Sequence, residues 1–248
     1  MAHRTIIASH RGGSYLWPEN SLMAFRETAK LPLEQVEFDV QLSADDQCVV
    51  IHDPLLDRTT DAHGPVRQRT LAELRRIRLR GAHGECVPTL AELCAVFRGT
   101  PVKLRLEIKA DADRRHYPGI GPRVLDVLEA ERMVEHTAAI TSFQAPMVAE
   151  MRDLGRFKGP LIWLCAPNVW LDIGRDMAFA TAISCGAAGI GLHHTIVDPE
   201  TLAAARASGL SPGAWGLKNE ADIRRVLDLG VDVFTSDDPV AAIRLRGA

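Results

Sequence analysis

The chain has 248 residues, with 29 basic and 32 acidic side chains and a formal charge of −3. Because the two signs are balanced and mixed, composition gives no general attraction for nucleic acid or for an anionic membrane. The cysteines are odd in number and lack a CxxC pair, which argues against a disulfide framework or a zinc site. No charged leader precedes an apolar segment, and no apolar run reaches membrane-spanning length. We therefore expect a cytoplasmic protein without membrane insertion.

Short apolar or alternating segments predict nine β-strands. In chain order they are "TIIAS", "VEFDVQL", "CVVIHD", "VKLRLEIK", "AAITSF", "PLIWLC", "AAGIGLH", "LSPGAW" and "VDVFTS". Helical patterns lie between most of them, and their starts are recognisable. Thr70 with Glu73, and Thr89 with Glu92, have the spacing of capping boxes. This alternation of strands and helices favours a parallel sheet or barrel.

One junction departs from the alternation. Only "SADDQ" separates the second and third predicted strands, whereas a parallel crossover needs a dozen residues or more, so these two strands must pair as an antiparallel hairpin. Without the extra strand, eight strand–helix units remain, which is the number in a (β/α)8 TIM barrel. We predict a single domain over residues 1–248, with a small insertion at about residues 43–88 after the second barrel strand.

Acidic residues follow the inward face of two neighbouring barrel strands. Since successive side chains of a strand alternate, Glu37 and Asp39 lie opposite the apolar face of "VEFDVQL" and point into the barrel. The same period turns Glu107 and Lys109 inward near the barrel mouth, where barrel active sites lie. Three carboxylates form an oxygen-only site that suits Mg²⁺ or Ca²⁺ better than Zn²⁺. The alternative is a structural ion-pair network that includes Arg105 and Lys109.

Two histidines are predicted at the same rim. His10 ends the first strand in "SHRGG", and His52 follows the inserted hairpin in "VVIHDP". Nothing in strand packing requires His10 and Arg11 side by side before two glycines. Because histidine has an unperturbed pKa of about 6.5, two histidines beside a cation can act as acid and base near neutral pH. The alternative is a structural role, with His52 hydrogen-bonded through Asp53.

Several segments occur in the order found in glycerophosphodiester phosphodiesterases. They are "SHRG", "PENS", "VEFDV", "IHDPLLDRTT", "VPTLAEL", "LEIK", "GAW" and "GVDVFTSDDP". The chain resembles this family from about Ile7 to Pro239. The motifs are specific together, although "HD" or "EIK" alone would mean little. The family fold is a (β/α)8 barrel with an insertion after the second strand, the architecture expected here from the strand count.

The resemblance implies roles for the candidate site residues. The acid and base pair is His10 and His52. The ligands of the divalent cation are Glu37, Asp39 and Glu107. Phosphate binding falls to Arg11 and Lys109, and supporting or substrate-binding roles fall to Glu19, Asn20 and Asp53. The implied reaction is metal-dependent hydrolysis of a small glycerophosphodiester to glycerol phosphate and an alcohol.

The late strands depart from the general family pattern. Gly216 follows Trp215 where a larger residue is common, and "GLHHT" carries an unexpected histidine pair. We expect Trp215 to cover the carbon chain of the substrate, the alternative being a place in the core. For His193, an inward and a purely structural position both stay open. Asp237 is expected to cap the helix that starts at Pro239 and not to act as a ligand.

Two other classes of function remain open from the sequence. A phosphodiester lyase would use the same histidines and stop at a cyclic phosphate, although the absence of an apolar leader argues against a lipid substrate. A non-catalytic phosphate-binding barrel would be expected to lack a histidine or a metal ligand, and here none is missing. The alcohol, the nucleophile, the order of the two histidines and the oligomeric state, a homo-oligomer included, are left open.

Overall fold

A computed structural model describes residues 4–247 and contains nine strands and nine helices within them. The strands are β1 Ile6–Ser9, β2 Gln35–Leu42, β3 Cys48–Val50, β4 Lys103–Ile108, β5 Thr137–Ser142, β6 Leu161–Cys165, β7 Gly189–His193, β8 Ser211–Leu217 and β9 Val233–Ser236. The helices are α1 Leu22–Thr28, α2 Leu71–Leu74, α3 Leu90–Phe97, α4 Ile120–Ala130, α5 Ala145–Leu154, α6 Pro167–Ser184, α7 Pro199–Ala207, α8 Glu220–Leu229 and α9 Pro239–Arg246. None of these helices has the length and apolar character needed to span a membrane.

Eight of the strands form a closed parallel barrel. Their order is β1, β9, β8, β7, β6, β5, β4 and β2, and the pairing of β1 with β2 completes the circle. Helices connect consecutive barrel strands, as parallel pairing requires. The (β/α)8 prediction is therefore confirmed. Since every barrel strand runs in the same direction, the ends of all eight strands meet at one rim.

The remaining strand, β3, pairs antiparallel with β2, and Val40 lies opposite Val50. This confirms the predicted hairpin. Beyond β3 the chain stays outside the barrel until α3 and buries a small apolar cluster of its own. That cluster contains Val49, Ile51, Leu56, Val66, Leu74, Leu79, Ala82 and Val87. The inserted segment thus has packing that holds it at the barrel mouth, where it presents His52.

The interior of the barrel is polar on one side and has a cavity with apolar lining on the other. Val36 and Phe38 of β2 pack outward in the main apolar core, whereas Glu37 is buried inside the barrel. On the opposite side, Gly191 of β7 and Gly213 of β8 line a cavity. The cavity on this side of the barrel leaves room for a ligand.

The helix ends follow the sequence signals with one exception. The capping boxes at Thr70 and Thr89 are both present. At α9, however, the cap is Asp238, whose side chain accepts a hydrogen bond from the amide of Ala241 at 2.8 Å. The prediction that Asp237 caps this helix is wrong, because its carboxylate turns toward the barrel mouth instead.

Candidate active site

The turn after β1 places a histidine and an arginine at the rim. Residues His10–Gly12 form a single helical turn in which Arg11 has φ of 51°, a left-handed conformation. Gly12 also has positive φ, and a Cβ there would lie 2.9 Å from the Cβ of Ala24. The glycines therefore let the backbone turn sharply against α1. This geometry directs the side chains of His10 and Arg11 toward the cavity.

Three carboxylates meet just inside this rim. Asp39 of β2 lies beside Glu107 of β4 in the register, and Glu37 stands two residues earlier on β2. One oxygen of each carboxylate lies within 4.8 Å of the other two, and all three residues are buried. Such a donor set fits a hard divalent cation. Oδ1 of Asp39 is buried without a hydrogen-bond partner among residues 4–247, so it has a free lone pair for a ligand bond.

The two carboxylates on β2 have pKa values that are shifted in opposite directions. Burial raises the pKa of Glu37 well above its usual range, and the charges of Asp39 and Glu107 raise it further. Burial also acts to raise the pKa of Asp39, but the charges of His52, Lys109 and Arg11 outweigh it and hold that pKa well below its usual value. A cation among the three carboxylates would relieve the repulsion that raises the pKa of Glu37.

Two basic side chains lie against the carboxylates. Nζ of Lys109 is 2.7 Å from Oε1 of Glu107 and 3.5 Å from Oδ1 of Asp39. Nε of Arg11 is 3.4 Å from Oδ2 of Asp39, and its backbone amide donates to Glu37 at 3.1 Å. Part of the ion-pair network considered from the sequence therefore exists. It holds two positive charges beside the carboxylates, of which Arg11 lines the cavity that contains both histidines.

Glu19 and Asn20 lie behind these groups and do not line the cavity. Nδ2 of Asn20 donates to Oδ2 of Asp39 at 2.8 Å, and Asn20 is itself buried. Oε1 of Glu19 accepts a hydrogen bond from Arg11 at 3.0 Å. Both residues thus orient a neighbour, which the sequence motif "PENS" alone did not distinguish from contact with the substrate.

His10 is held by a residue whose role the sequence analysis missed. Its Nδ1 is hydrogen-bonded to Oδ1 of Asp237, and its Nε2 lies 3.9 Å from Oε2 of Glu37. Asp237 also accepts from Ser14 at 2.8 Å and lies 3.3 Å from Nζ of Lys218. Burial acts to raise the pKa of Asp237, but these partners, His10 foremost, outweigh it and lower that pKa. The motif "TSDDP", which contains Asp237, was the sequence signal that could have indicated this role.

His52 has a similar partner in the inserted segment. Its Nδ1 is hydrogen-bonded to Oδ1 of Asp53 at 2.6 Å, and this bond is the main reason why the pKa of Asp53 is lowered. Arg58 then donates to Asp53 and to Glu19, each at 2.6 Å. Since Glu19 also binds Arg11, one side chain of the insertion joins His52 to the first barrel loop. Arg58 lies within the motif "IHDPLLDRTT", but the sequence analysis gave it no role.

A cavity of about 210 Å³ joins both histidines to an apolar wall. Trp215 lies on this wall, as expected, and its ring meets the ring of Phe143 edge to face with centroids 5.3 Å apart. Its Nε1 donates to the carbonyl of Gly191 at 3.2 Å. The indole is therefore fixed by packing and by a hydrogen bond, with apolar surface left toward the cavity.

The two departures noted in the late strands form one structural feature. Gly216 has φ of 83°, and a Cβ at this position would lie 2.6 Å from the ring of His193. That ring packs edge to face on Trp215 with centroids 4.8 Å apart and lines the cavity. Burial, and then the charges of His194 and Lys218, lower the pKa of His193, which favours its neutral form. His193 thus occupies the space that a larger residue 216 would need.

A (β/α)8 barrel with a carboxylate cluster, fixed basic residues and two aspartate-bound histidines at its mouth has the side chains of a metal-assisted enzyme that acts on an anionic substrate. The model of the glycerophosphoryl diester phosphodiesterase family matches residues 10–241. This match covers the whole barrel mouth and nearly all of the chain. The chain belongs to this family.

Individual relatives agree with the assignment. A glycerophosphodiester phosphodiesterase of Caldanaerobacter subterraneus is 28% identical over 248 residues, covering 98% of each chain. A solved structure from Agrobacterium tumefaciens that is named for the same family is 38% identical, with a TM-score of 0.94 and coverage of 98% of this chain and 97% of that one. An Oleispira antarctica phosphodiesterase in complex with its product sn-glycerol-3-phosphate is 23% identical, with a TM-score of 0.81, covers 98% and 97% of the two chains, and shares the fold.

Proposed function

We propose that this chain hydrolyses a small glycerophosphodiester to glycerol phosphate and an alcohol with the help of Mg²⁺ or Ca²⁺. The observation that carries the proposal is that both histidines open into one cavity with two of the clustered carboxylates. Family membership supports the substrate class. The product bound by the Oleispira antarctica relative is sn-glycerol-3-phosphate, which supports the glycerol phosphate end of the reaction.

Glu37, Asp39 and Glu107 would hold the cation, whose positive charge would stabilise the charge that develops on the phosphoryl oxygens. The side chains of Arg11 and Lys109 bind the phosphate, because both are mostly buried and already fixed against the carboxylates. Because these two side chains are held in place before the substrate binds, they lose little conformational entropy when they contact the phosphate. Trp215 lies against the carbon chain of the substrate.

The two histidines transfer the protons. His10 and His52 each bind an aspartate through Nδ1, which fixes the proton on that nitrogen and leaves Nε2 for the substrate. One ring removes the proton of the nucleophile, and the other donates a proton to the leaving oxygen of the alcohol. Asp237 and Asp53 are positioning residues that hold these rings. The barrel and its insertion act as one domain, because the mouth needs His52 from the insertion.

A substrate panel tests the proposal. Glycerophosphocholine, glycerophosphoethanolamine and a sugar phosphodiester are incubated with magnesium, with calcium and with a chelator, and the products are identified by phosphorus NMR. Release of glycerol phosphate that stops in chelator supports the proposal. Accumulation of a cyclic phosphate would favour a lyase, and binding without turnover would favour a non-catalytic barrel. The odd number of cysteines fits a reducing compartment, and we propose the cytoplasm.

A further inference from the structure

Arg105 is a buried cation that has no ion pair within 4.0 Å among residues 4–247. It lies on β4 two residues before Glu107, and only 6% of its surface is exposed. Within residues 4–247 it has one hydrogen bond, from Nη1 to Oε1 of Gln35 at the long distance of 3.5 Å, and no carboxylate oxygen within 4.0 Å. Burial lowers its pKa to about 10. A buried guanidinium normally binds several acceptors, so this one has donors left for a ligand.

Arg105 is part of the lining of the cavity described above. Arg105 lines it together with Thr141 of β5 and Thr235 of β9. Neither threonine hydroxyl has a hydrogen-bond partner in the described part of the chain. The lining of the cavity therefore includes polar groups that are left for a ligand.

The position of Arg105 also favours a ligand that brings further oxygen atoms into the barrel. The negative charge of the phosphate offsets the charge of a bound cation, whereas the donors of Arg105 need hydrogen-bond acceptors of their own. Arg11 and Lys109 meet the phosphate at the rim. Arg105 stands one strand repeat deeper than Glu107, about 6.6 Å along β4. A second oxygen-bearing group of the same ligand is needed to reach it.

We propose that Arg105, Thr141 and Thr235 form a subsite that hydrogen-bonds the hydroxyl groups of the glycerol moiety. This inference rests on the proposed function. Glycerol fits this part of the cavity because its oxygens can meet these three side chains while its carbon atoms lie against Leu164 and Trp215. The cavity of about 210 Å³ has room for a short polyol. Arg105 is then a specificity-determining residue that distinguishes a hydroxylated chain from a plain alkyl chain.

Two phosphomonoesters separate hydroxyl recognition from phosphate binding. sn-Glycerol-3-phosphate and n-propyl phosphate have the same number of carbon atoms, and only the first carries hydroxyls. Calorimetry with magnesium measures the ratio of their two affinities for the wild type and for Arg105→Met. We expect the wild type to prefer sn-glycerol-3-phosphate by about tenfold to a hundredfold, the effect of hydrogen bonds to a charged group. Arg105→Met is expected to lose most of that preference.

Lys103→Met is the matched control, because Lys103 lies on the same face of β4 and is exposed; its affinity ratio stays at the wild-type value. Thermal unfolding of the ligand-free proteins separates recognition from a structural role. Since Arg105 is a buried charge without an ion pair, Arg105→Met is expected to melt at or above the wild-type temperature. A lower melting temperature with both ligands weakened equally would assign Arg105 to the scaffold and overturn the subsite.

The same data distinguish failure of the subsite from failure of the proposed function. If the wild type cleaves glycerophosphodiesters and Arg105→Met keeps the full preference for sn-glycerol-3-phosphate, only the subsite is wrong. If the wild type binds neither phosphomonoester and cleaves no diester, the proposed function is wrong, and the subsite falls with it.

Discussion

Asp237 accepts a hydrogen bond from Nδ1 of His10, although 227 positions separate the two residues. The contact exists because β9 pairs with β1 where the barrel closes, with Ser9 opposite Ser236. Each residue follows directly after its paired strand end. The closure of the barrel therefore supplies the partner that holds the ring of His10 with Nε2 toward the carboxylates.

The first prediction concerns this partner. Asp237→Asn is expected to lower kcat by about a hundredfold or more, because an amide can stabilise the wrong tautomer of the neighbouring histidine. KM is expected to change much less, since Asp237 does not bind the phosphate. Asp238→Asn is the matched control. Asp238 caps α9, and asparagine is an equally good cap, so this variant keeps wild-type kinetics. Equal kcat values for the two variants would contradict the positioning role.

Asp237 also predicts how stability depends on pH. Its pKa is lowered in the folded protein, so its interactions stabilise the fold above the ordinary aspartate pKa of about 3.9 and are lost as the pH falls below that value. The melting temperature of the wild type is expected to exceed that of Asp237→Asn by a constant margin between roughly pH 5 and 7, and by a shrinking margin below about pH 4. A margin that grows in acid would contradict the assignment.

The second histidine separates catalysis from structure. His52→Ala is expected to lower turnover by about a hundredfold to ten-thousandfold, the usual contribution of one acid or base, while the melting temperature and metal binding stay near wild type. His63→Ala is the control, because His63 lies in the same insertion and is hydrogen-bonded to Asp57 on the surface. An active but destabilised His52→Ala would return this residue to a structural role. The double variant with His10→Ala is expected to lose less than the product of the two single losses.

Metal dependence is tested with a chelator and with a variant of one metal ligand. A chelator is expected to abolish turnover, and Glu37→Gln to weaken magnesium binding in calorimetry, because the amide keeps the shape and loses the charge. Glu27→Gln is the control, since Glu27 is on α1 and pairs with Lys30. Full activity in chelator, with no metal found in the purified protein, would contradict the metal site.

Substitution of Gly216 is expected to be limited by the backbone conformation at this position as well as by the space in the pocket. Gly216→Val places a β-branched residue at φ of 83° and against His193, so we expect a lower melting temperature and slower turnover of every substrate. A side chain at position 216 would collide with the ring of His193, and His193→Ala removes that ring. The double variant of Gly216→Ala with His193→Ala is therefore expected to recover part of the stability lost in Gly216→Ala. If Gly216→Val instead slowed only substrates with large alcohols, the backbone strain at residue 216 would be negligible. The size of the side chain at this position would then determine which alcohols are accepted.

The sequence by itself determined the features that depend on local periodicity. Alternation along β2 and β4 predicted that Glu37, Asp39 and Glu107 face inward, because a strand turns every second side chain to the same side. The short link "SADDQ" predicted the hairpin that carries His52, since no parallel crossover fits into it. Residue type and predicted position suggested a hard-cation site and an acid–base pair, and the order of the family motifs favoured these roles over the structural alternatives.

Only the tertiary structure decided which distant side chains meet. Asp237 reaches His10 through barrel closure, Arg58 joins Asp53 to Glu19 through the packing of the insertion, and His193 fills the space above Gly216. Arg105 looked from the sequence like a member of the ion-pair network, yet it lies beyond 4.0 Å from every described carboxylate oxygen. Periodicity specifies the face on which a side chain lies but not its depth or its partner. Those follow from the register between strands that are far apart in the chain, which only the closed barrel sets.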